Sequence, residues 1–265
     1  MKGSNKFMLN LKKEADSLKV GDIQLGTCPV CSSYVSHIYF MQNSTDKKQS
    51  KWYSCACGVV WQVKYPDKVY DKKYYDEYAK YDSKLKDSFQ YPVKIYAPII
   101  EELVYGRKVL LIGRVNSHQE DAFKERGWVP YSIDKNEAQP KQDKLFVGNF
   151  ETYNFSDNLK FNLIWIYHTL ECFLDPVSAL AKCKSLLTED GILVICSPDT
   201  DFIHTRGSSC FIHWKPDMNY LMWNKRSIST HLEKLGFQII IARQNYEHRF
   251  PFWDDYQLIA QKKFF

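Results

Sequence analysis

Three groups of residues in this 265-residue chain carry chemistry in their types and spacing. The first is a pair of cysteine turns, Cys28-Pro29-Val30-Cys31 and Cys55-Ala56-Cys57-Gly58, with positions 32–54 between them. Two thiolate pairs on tight turns at the base of a hairpin can close a tetrahedron around Zn²⁺. Gly58 lets the second turn present backbone amides to the metal. Four thiolates leave no open position for a substrate, so this zinc reads as structural. His37 is a fallback ligand, although strand periodicity makes it an ordinary exposed residue. The second group is Gly113, which ends the apolar run Val109–Ile112, and Asp134, which ends the run Trp128–Ile133. A glycine where backbone meets a ligand, followed about 20 residues later by an acid, suits a nucleotide whose ribose hydroxyls the carboxylate accepts. The third is Tyr167-His168-Thr169-Leu170-Glu171, after the apolar run Phe161–Ile166. His168 is the leading candidate base. Glu171 either orients it or takes part directly, and His213 and His204 come next from a long downstream loop. A structural hydrogen bond for His168, and packing beside Trp214 for His213, are the plainer alternatives.

The elements that must position these groups follow from periodicity. Lys108–Asp134 reads as strand, turn, helix (about Gln119 to Arg126, closed by Gly127) and strand. Lys144–Val147 is a short strand, and the continuous apolar run Phe161–Ile166 fits a central parallel strand buried on both faces. Asp175-Pro176 opens a helix that Gly191 ends, and Ile192–Cys196 is the next strand. Ser197–Trp223 is a long segment without period, rich in His, Trp and Phe, and loops of that length are usually functional. Asn224–Leu235 forms a helix closed by Gly236, and Phe237–Ala242 and Tyr256–Gln261 are the last strands. Before this lies a hairpin, Tyr34–Phe40 and Val59–Tyr65, with a polar tip at Asn43–Lys51. A charged, tyrosine-rich stretch, Asp67–Gln90, follows the hairpin. Tyr70, Tyr74, Tyr78 and Tyr81 share one helical face, as a packed linker helix or as a lid would. Pro92 and Pro98 bracket a turn, and a short helix covers Ile95–Val104. The organisation expected is 1–66, N-terminal segment and zinc ribbon; 67–106, helical linker or lid; and 107–265, a doubly wound α/β sheet.

Bulk properties narrow the class. A net charge of +5, spread along the chain, does not argue for nucleic acid. No apolar run approaches a membrane span, and the N-terminal stretch lacks a signal-peptide core, which points to the cytoplasm. Thiols stay reduced there, so the eight cysteines read as metal ligands or buried thiols rather than disulfides. Cys172, Cys183 and Cys196, on or beside apolar runs, read as small core residues.

The stretch FNLIWIYHTLECFLDPVSALAKCKSLLTEDGILVICSPDT, with the tail SISTHLEKLGFQ, resembles the class I S-adenosylmethionine-dependent methyltransferases. A preceding zinc ribbon is also similar to members of that superfamily. The resemblance spans residues from about 70 to 263. It implies a Rossmann-like seven-stranded sheet with an antiparallel last strand, and a cofactor over the first two strand ends. By the same resemblance Gly113 is the retained glycine of the cofactor loop and Asp134 the ribose acid. Asn149 stands at the adenine amine, Phe150 against the adenine face, and Tyr167 with His168 near the methyl group. The chain departs from the family at Leu111, in place of an acid, at Val115 and Ser117, in place of glycines, and at Cys172, in place of a histidine.

The leading expectation is therefore a methyltransferase that uses S-adenosyl-L-methionine and acts on a small-molecule or sugar-type acceptor. The departures motivate a second reading, a methyltransferase-like binding or assembly protein without turnover. The lysines of the ribbon tip, Lys47, Lys48 and Lys51, motivate a third, a nucleic-acid methyltransferase that grips through the ribbon. A solvated hairpin tip explains those lysines equally well.

Overall fold

The computed structural model describes residues 19–20, 23–24, 26–42, 49–62, 72–113, 118–135, 144–208, 211, 213–215, 217–244 and 255–263. In chain order, β1 (Lys19–Val20) and β2 (Ile23–Gln24) make a small antiparallel pair. β3 (Val35–Gln42), β4 (Gln49–Cys55) and β5 (Val60–Gln62) form an antiparallel ribbon. Helix α1 (Lys72–Glu101) leads to β6 (Lys108–Ile112), α2 (His118–Glu125), β7 (Val129–Asp134), β8 (Leu145–Val147) and β9 (Phe161–Tyr167). A 3₁₀ turn (Leu170–Cys172) precedes α3 (Pro176–Leu186), β10 (Leu187–Pro198), α4 (Asp201–Arg206), β11 (Leu221–Met222), α5 (Lys225–Lys234), β12 (Phe237–Gln244) and β13 (Asp255–Lys262).

The large sheet has seven strands in the order β12-β13-β10-β9-β6-β7-β8. β6 to β10 pair in parallel, and β13 runs antiparallel to both neighbours. This is the methyltransferase Rossmann-like sheet, with its antiparallel last strand. The chain leaves β6 first toward β7 and later toward β9. That reversal opens a crevice beyond the strands' C-terminal ends. Successive side chains on a strand face opposite ways. Leu110 and Ile112 of β6 therefore join one core, while Val109 and Leu111 join the other.

The ribbon gains β4 where the hairpin expected from Tyr34–Phe40 and Val59–Tyr65 has only a polar tip at Asn43–Lys51, and three further expected boundaries change. The two helices expected on either side of Pro92 are one helix, α1, with Pro92 and Pro98 inside it. Each internal proline costs about 3 kcal/mol. Phe89, Val93, Tyr96, Ala97 and Ile100, spaced three and four apart, bury a continuous stripe on the sheet. At about 1.5–3 kcal/mol for each large side chain, that burial outweighs both prolines. The choice between packed linker and lid falls on tyrosine side chains between 70 and 81, outside the described residues. Second, Gly191 does not close α3. The helix stops at Leu186, and β10 runs through Gly191 with a register shift between Leu187 and Ile192. Third, the long segment after β10 holds α4 and β11. β11 pairs with the ribbon strand β5 (Leu221 opposite Trp61, Met222 opposite Val60) and becomes its fourth strand. A two-residue strand shows no period in a sequence. Among the described residues no helix is long and apolar enough to cross a membrane.

Candidate active site

The C-terminal ends of β6 to β9 open into a cleft whose walls include Gly113, Asp134, Asn149, Phe150, His168 and Met218. Gly113 has φ +81°, and a Cβ there would stand 2.1 Å from Thr169 Oγ1. The ends of β6 and β9 thus meet too closely for any side chain at this position. Asp134 is buried, and its main-chain oxygen accepts from Gly148 N–H at 2.8 Å. The ends of β7 and β8 are thereby tied together, with the carboxylate in the wall. Asn149 Oδ1 already accepts from Glu151 N–H at 3.1 Å, which leaves it one further lone pair. Phe150 stacks on Phe173 at 5.9 Å and 16°, and the Lys182 ammonium sits 5.1 Å over its ring. Lys182 also donates to the main-chain oxygen of Phe150 at 2.7 Å and so anchors this wall to α3. Burial draws the Lys182 pKa down.

Tyr167 lies elsewhere. It packs edge-on against Phe89 at 5.9 Å, in the core under α1, outside the cleft wall. Tyr167 is the last residue of β9, and the left-handed backbone of His168 (φ +49°) just beyond it turns that residue into the cleft wall. Leu111, which stands where the family has an acid, is likewise packed in the α1 core. Val115 and Ser117 lie outside the described residues.

His168, Glu171 and His213 come together around a fourth residue, Asp255. The His168 backbone has φ +49°, an uncommon conformation for a side-chain-bearing residue, and its N–H donates to Cys196 O at 2.8 Å. His168 Nε2 is 2.8 Å from Asp255 Oδ2, and Nδ1 is 3.5 Å from Glu171 Oε1. The His213 ring stacks on that of His168 at 5.6 Å and 25°, with its Nε2 3.6 Å from Asp255 Oδ1. Ser197 Oγ donates to Glu171 Oε2 at 2.7 Å. Burial alone would lower the His168 pKa. The charge and hydrogen bond of Asp255, with Cys196 and Glu171, outweigh it and hold the imidazole well above its ordinary value. Burial pushes Glu171 up, but its contact with His168 outweighs this, and the carboxyl sits below its usual range. Both ring nitrogens of an imidazolium donate, and here each meets a carboxylate.

Cys196, next to this group, is pushed up to about 12 by burial and is a neutral thiol. His168, Cys196 and Asp255 bring potential ligand atoms within 4.8 Å. The 2.8 Å His168–Asp255 contact is a hydrogen-bond distance, however. Ligands sharing a tetrahedral cation at about 2.0–2.1 Å stand roughly 3.3 Å apart. The group therefore fits a proton better than a metal.

The sequence reading missed Asp255. An antiparallel last strand starts where its parallel neighbour ends, and Asp255 pairs with Pro198 at the tip of β10. The acid pair Asp254-Asp255, just before the apolar run Tyr256–Gln261 in the sequence, is the available signal.

The four N-terminal cysteines also converge. Cys28 Sγ lies 3.8 Å from Cys57 Sγ, Cys31 Sγ lies 3.4 Å from Cys55 Sγ, and all four sulfurs fall within 4.8 Å. A tetrahedron with Zn–S bonds of about 2.3 Å has edges of about 3.8 Å. The Val30 and Cys57 amides point at Cys28 and Cys55 sulfurs, each at 3.5 Å. The donor set fits zinc. His37 is exposed on β3 and does not belong to this group.

A protein-family model described as a methyltransferase domain matches residues 129–195, from β7 into β10. No curated protein matches the chain. Among solved structures, an S-adenosylmethionine-dependent methyltransferase from Archaeoglobus fulgidus superposes with a TM-score of 0.55 at 18% identity, over 70% of this chain and 99% of that one. Magnesium protoporphyrin IX methyltransferase from Synechocystis PCC 6803, solved with bound S-adenosylhomocysteine, gives 0.53 at 12% identity, over 73% and 96%. An S-adenosylmethionine-dependent methyltransferase from Clostridium acetobutylicum ATCC 824 gives 0.51 at 11%, over 73% and 100%. At such identities the likeness is one of fold. The chain carries the fold of the S-adenosylmethionine-dependent methyltransferases.

Proposed function

We propose that this protein is an S-adenosylmethionine-dependent methyltransferase for a small-molecule or sugar-type acceptor, with a structural zinc ion in its ribbon. The observation that carries this reading is the Asp134 carboxylate at the end of β7, in a cleft it shares with Gly113, Asn149 and Phe150. The cofactor supplies an electrophilic methyl group on a sulfonium. Asp134 would accept both ribose hydroxyls, Phe150 would pack on the adenine, and Asn149 would use its remaining lone pair on the adenine amine. Gly113 would put the end of β6, closed against Thr169, into the wall beside the ligand. Methyl transfer is an in-line displacement, so holding the acceptor close and aligned is the main task of the other residues.

Of the histidine–carboxylate cluster, only His168 faces the cleft. Its ring nitrogens face Asp255 at 2.8 Å and Glu171 at 3.5 Å, and these carboxylates favour the protonated ring over one that waits to take a proton. Its role is to shape the acceptor end and fix its charge. Glu171 and His213, both buried, act through His168 as positioning residues. The cytoplasm suits a site of reduced thiolates. The second reading, a methyltransferase-like binding protein without turnover, draws on Leu111, a packed apolar residue where the family has an acid. The ribbon-tip lysines Lys47 and Lys48, on which a nucleic-acid grip depends, lie outside the described residues.

Calorimetry with S-adenosylmethionine and S-adenosylhomocysteine tests the cofactor assignment. Asp134→Ala should weaken binding by about 1.5–3 kcal/mol, or ten- to a hundredfold. Wild-type protein that ignores both ligands at millimolar concentration would sink the reading, and unchanged affinity in the variant would move the site elsewhere. Metal analysis should give one zinc per chain, and less than about half an equivalent would overturn the four-cysteine assignment.

A further inference from the structure

We propose that the cysteine ribbon buttresses the acceptor-side wall of the cleft from behind, and that Gln62 and Trp214 are the positioning residues that transmit its fold to Glu171 and His213. The proposal rests on the reading of the cleft as a methyl-transfer site.

The route is short. Gln62, buried in β5, donates its backbone N–H to Tyr220 O at 3.0 Å and its side-chain amide to Asn219 O. Tyr220 in turn donates its N–H to Glu171 O at 2.7 Å, and Asn219 Nδ2 donates to His213 O at 3.0 Å. One ribbon residue is thus a single residue away from both Glu171 and His213. Met218, beside this junction, stands in the cleft wall.

A second route is aromatic. Trp214 follows His213, and its ring lies 5.3 Å from Trp52, 5.5 Å from Tyr39 and 5.3 Å from Phe211. The residue that flanks His213 is therefore seated on β3 and β4 of the ribbon. The second cysteine turn is fixed to the same region. Gly58 O accepts from Thr200 Oγ1 at 2.5 Å, and a Cβ on Gly58 (φ +98°) would stand 2.1 Å from Asn224 Nδ2. Cys28 and Cys55 share one core with Leu170, Tyr220 and Trp223.

The physical consequence is an asymmetry. Gly113 and Asp134 hang on the ends of parallel strands whose ladder hydrogen bonds are all made within the large sheet. The segment between β10 and α5 has no period of its own, and β5 is the template on which it pairs. A ribbon this small takes its shape largely from its thiolate site. The state of the four cysteines should therefore govern the acceptor half of the cleft and leave the cofactor half in place.

Hydrogen-exchange mass spectrometry on the full chain tests this with a Cys31→Ser, Cys55→Ser double variant. Exchange should rise about tenfold or more in 217–223 and 168–173 together with 49–62, while 108–112 and 129–134 keep their protection. Retained protection in 217–223 with an open 49–62 would overturn the proposal. Should the double variant unfold throughout, Gln62→Leu keeps the cysteines and decides the matter. Its exchange should rise in 217–223 and 168–173 alone, and the His168 ring-proton NMR signal should move toward that of an ordinary histidine as Glu171 loosens. An unmoved signal or unchanged exchange in that variant refutes the coupling. S-adenosylhomocysteine affinity should stay within about twofold in Gln62→Leu. If wild-type protein fails to bind that ligand, the methyl-transfer reading fails, while the exchange pattern still decides the coupling.

Discussion

Asp255→Asn removes one charge from the centre of the cluster while keeping the side chain's shape. Asp255 is 1% exposed, and its Oδ2 lies 2.8 Å from His168 Nε2. In the wild type, burial works against the imidazolium, and the charge and hydrogen bond of Asp255 lead the contributions that override it. A histidine whose folded pKa is raised contributes stability that is fully present below about pH 6.5 and is lost as pH climbs through the folded value. The variant lacks most of that contribution at every pH. Breaking one side of a buried ion pair costs about 3–5 kcal/mol. Glu171 remains at 3.5 Å and asparagine keeps one polar contact, so the lower end, about 3 kcal/mol, is expected near pH 6. For a chain of this size that is a Tm drop of about 6–12 °C. The gap between variant and wild type should narrow at alkaline pH, as the wild-type His168 loses its proton. Glu171 sets the lower limit of the window. Its lowered pKa gives stability that is present above about pH 4.5 and lost as pH falls through its folded value, so the comparison belongs above pH 5. Thermal unfolding followed by circular dichroism at pH 6 and at pH 9.5 measures the gap, and ionisations shared by both proteins cancel in the difference. A gap of equal size at both pH values, or one below about 1 kcal/mol at pH 6, would refute the imidazolium assignment.

Three further outcomes follow from single positions. Gly113→Ala places a methyl group 2.1 Å from Thr169 Oγ1 at φ +81° and should cost about 1–3 kcal/mol, read by urea unfolding; a neutral effect would mean that β6 and β9 do not close as described. Asn224→Ala removes the N-cap that accepts from Ser227 N–H at 2.7 Å and should cost about 1 kcal/mol in the same assay, with no loss marking the capping box as idle. Burial pushes Asp199 up to about 6, so the folded protein pays a penalty that grows as pH rises from the unfolded carboxyl value to 6 and is complete above it. Asp199→Asn should therefore stabilise the protein by about 1–3 kcal/mol at pH 8 and by little at pH 4, and a gain independent of pH would assign the effect to packing.

The two ends of the cleft were legible to different degrees. Residues Val109–Ile112 and Phe161–Ile166 stand out as buried parallel strands because both their faces are covered, which leaves an unbroken apolar run in one dimension. Gly113 and Asp134 belong to a single strand–helix–strand unit, so their separation in sequence is set by local geometry and survives as a readable spacing. The acceptor end has no such unit. Gln62, Glu171, His213 and Asp255 come from the ribbon, a 3₁₀ turn, an aperiodic segment and the last strand, and only tertiary register brings them together. Proline punctuation misled for a related reason. Pro92 and Pro98 mark breaks by local preference, and a buried stripe overrides them from the far side of the core. Sequence neighbourhood places Tyr167 with the cofactor, but it ends β9 packed on Phe89, and the left-handed turn at His168 carries the next residue into the cleft wall. Even there the residue type reads as a base, while the carboxylates around it favour its protonated form. A single strand–helix–strand unit binds a cofactor with local geometry that many sequences share and any one displays. The histidine–carboxylate cluster of this chain is assembled from distant pieces, and its chemistry is set by which charges meet there.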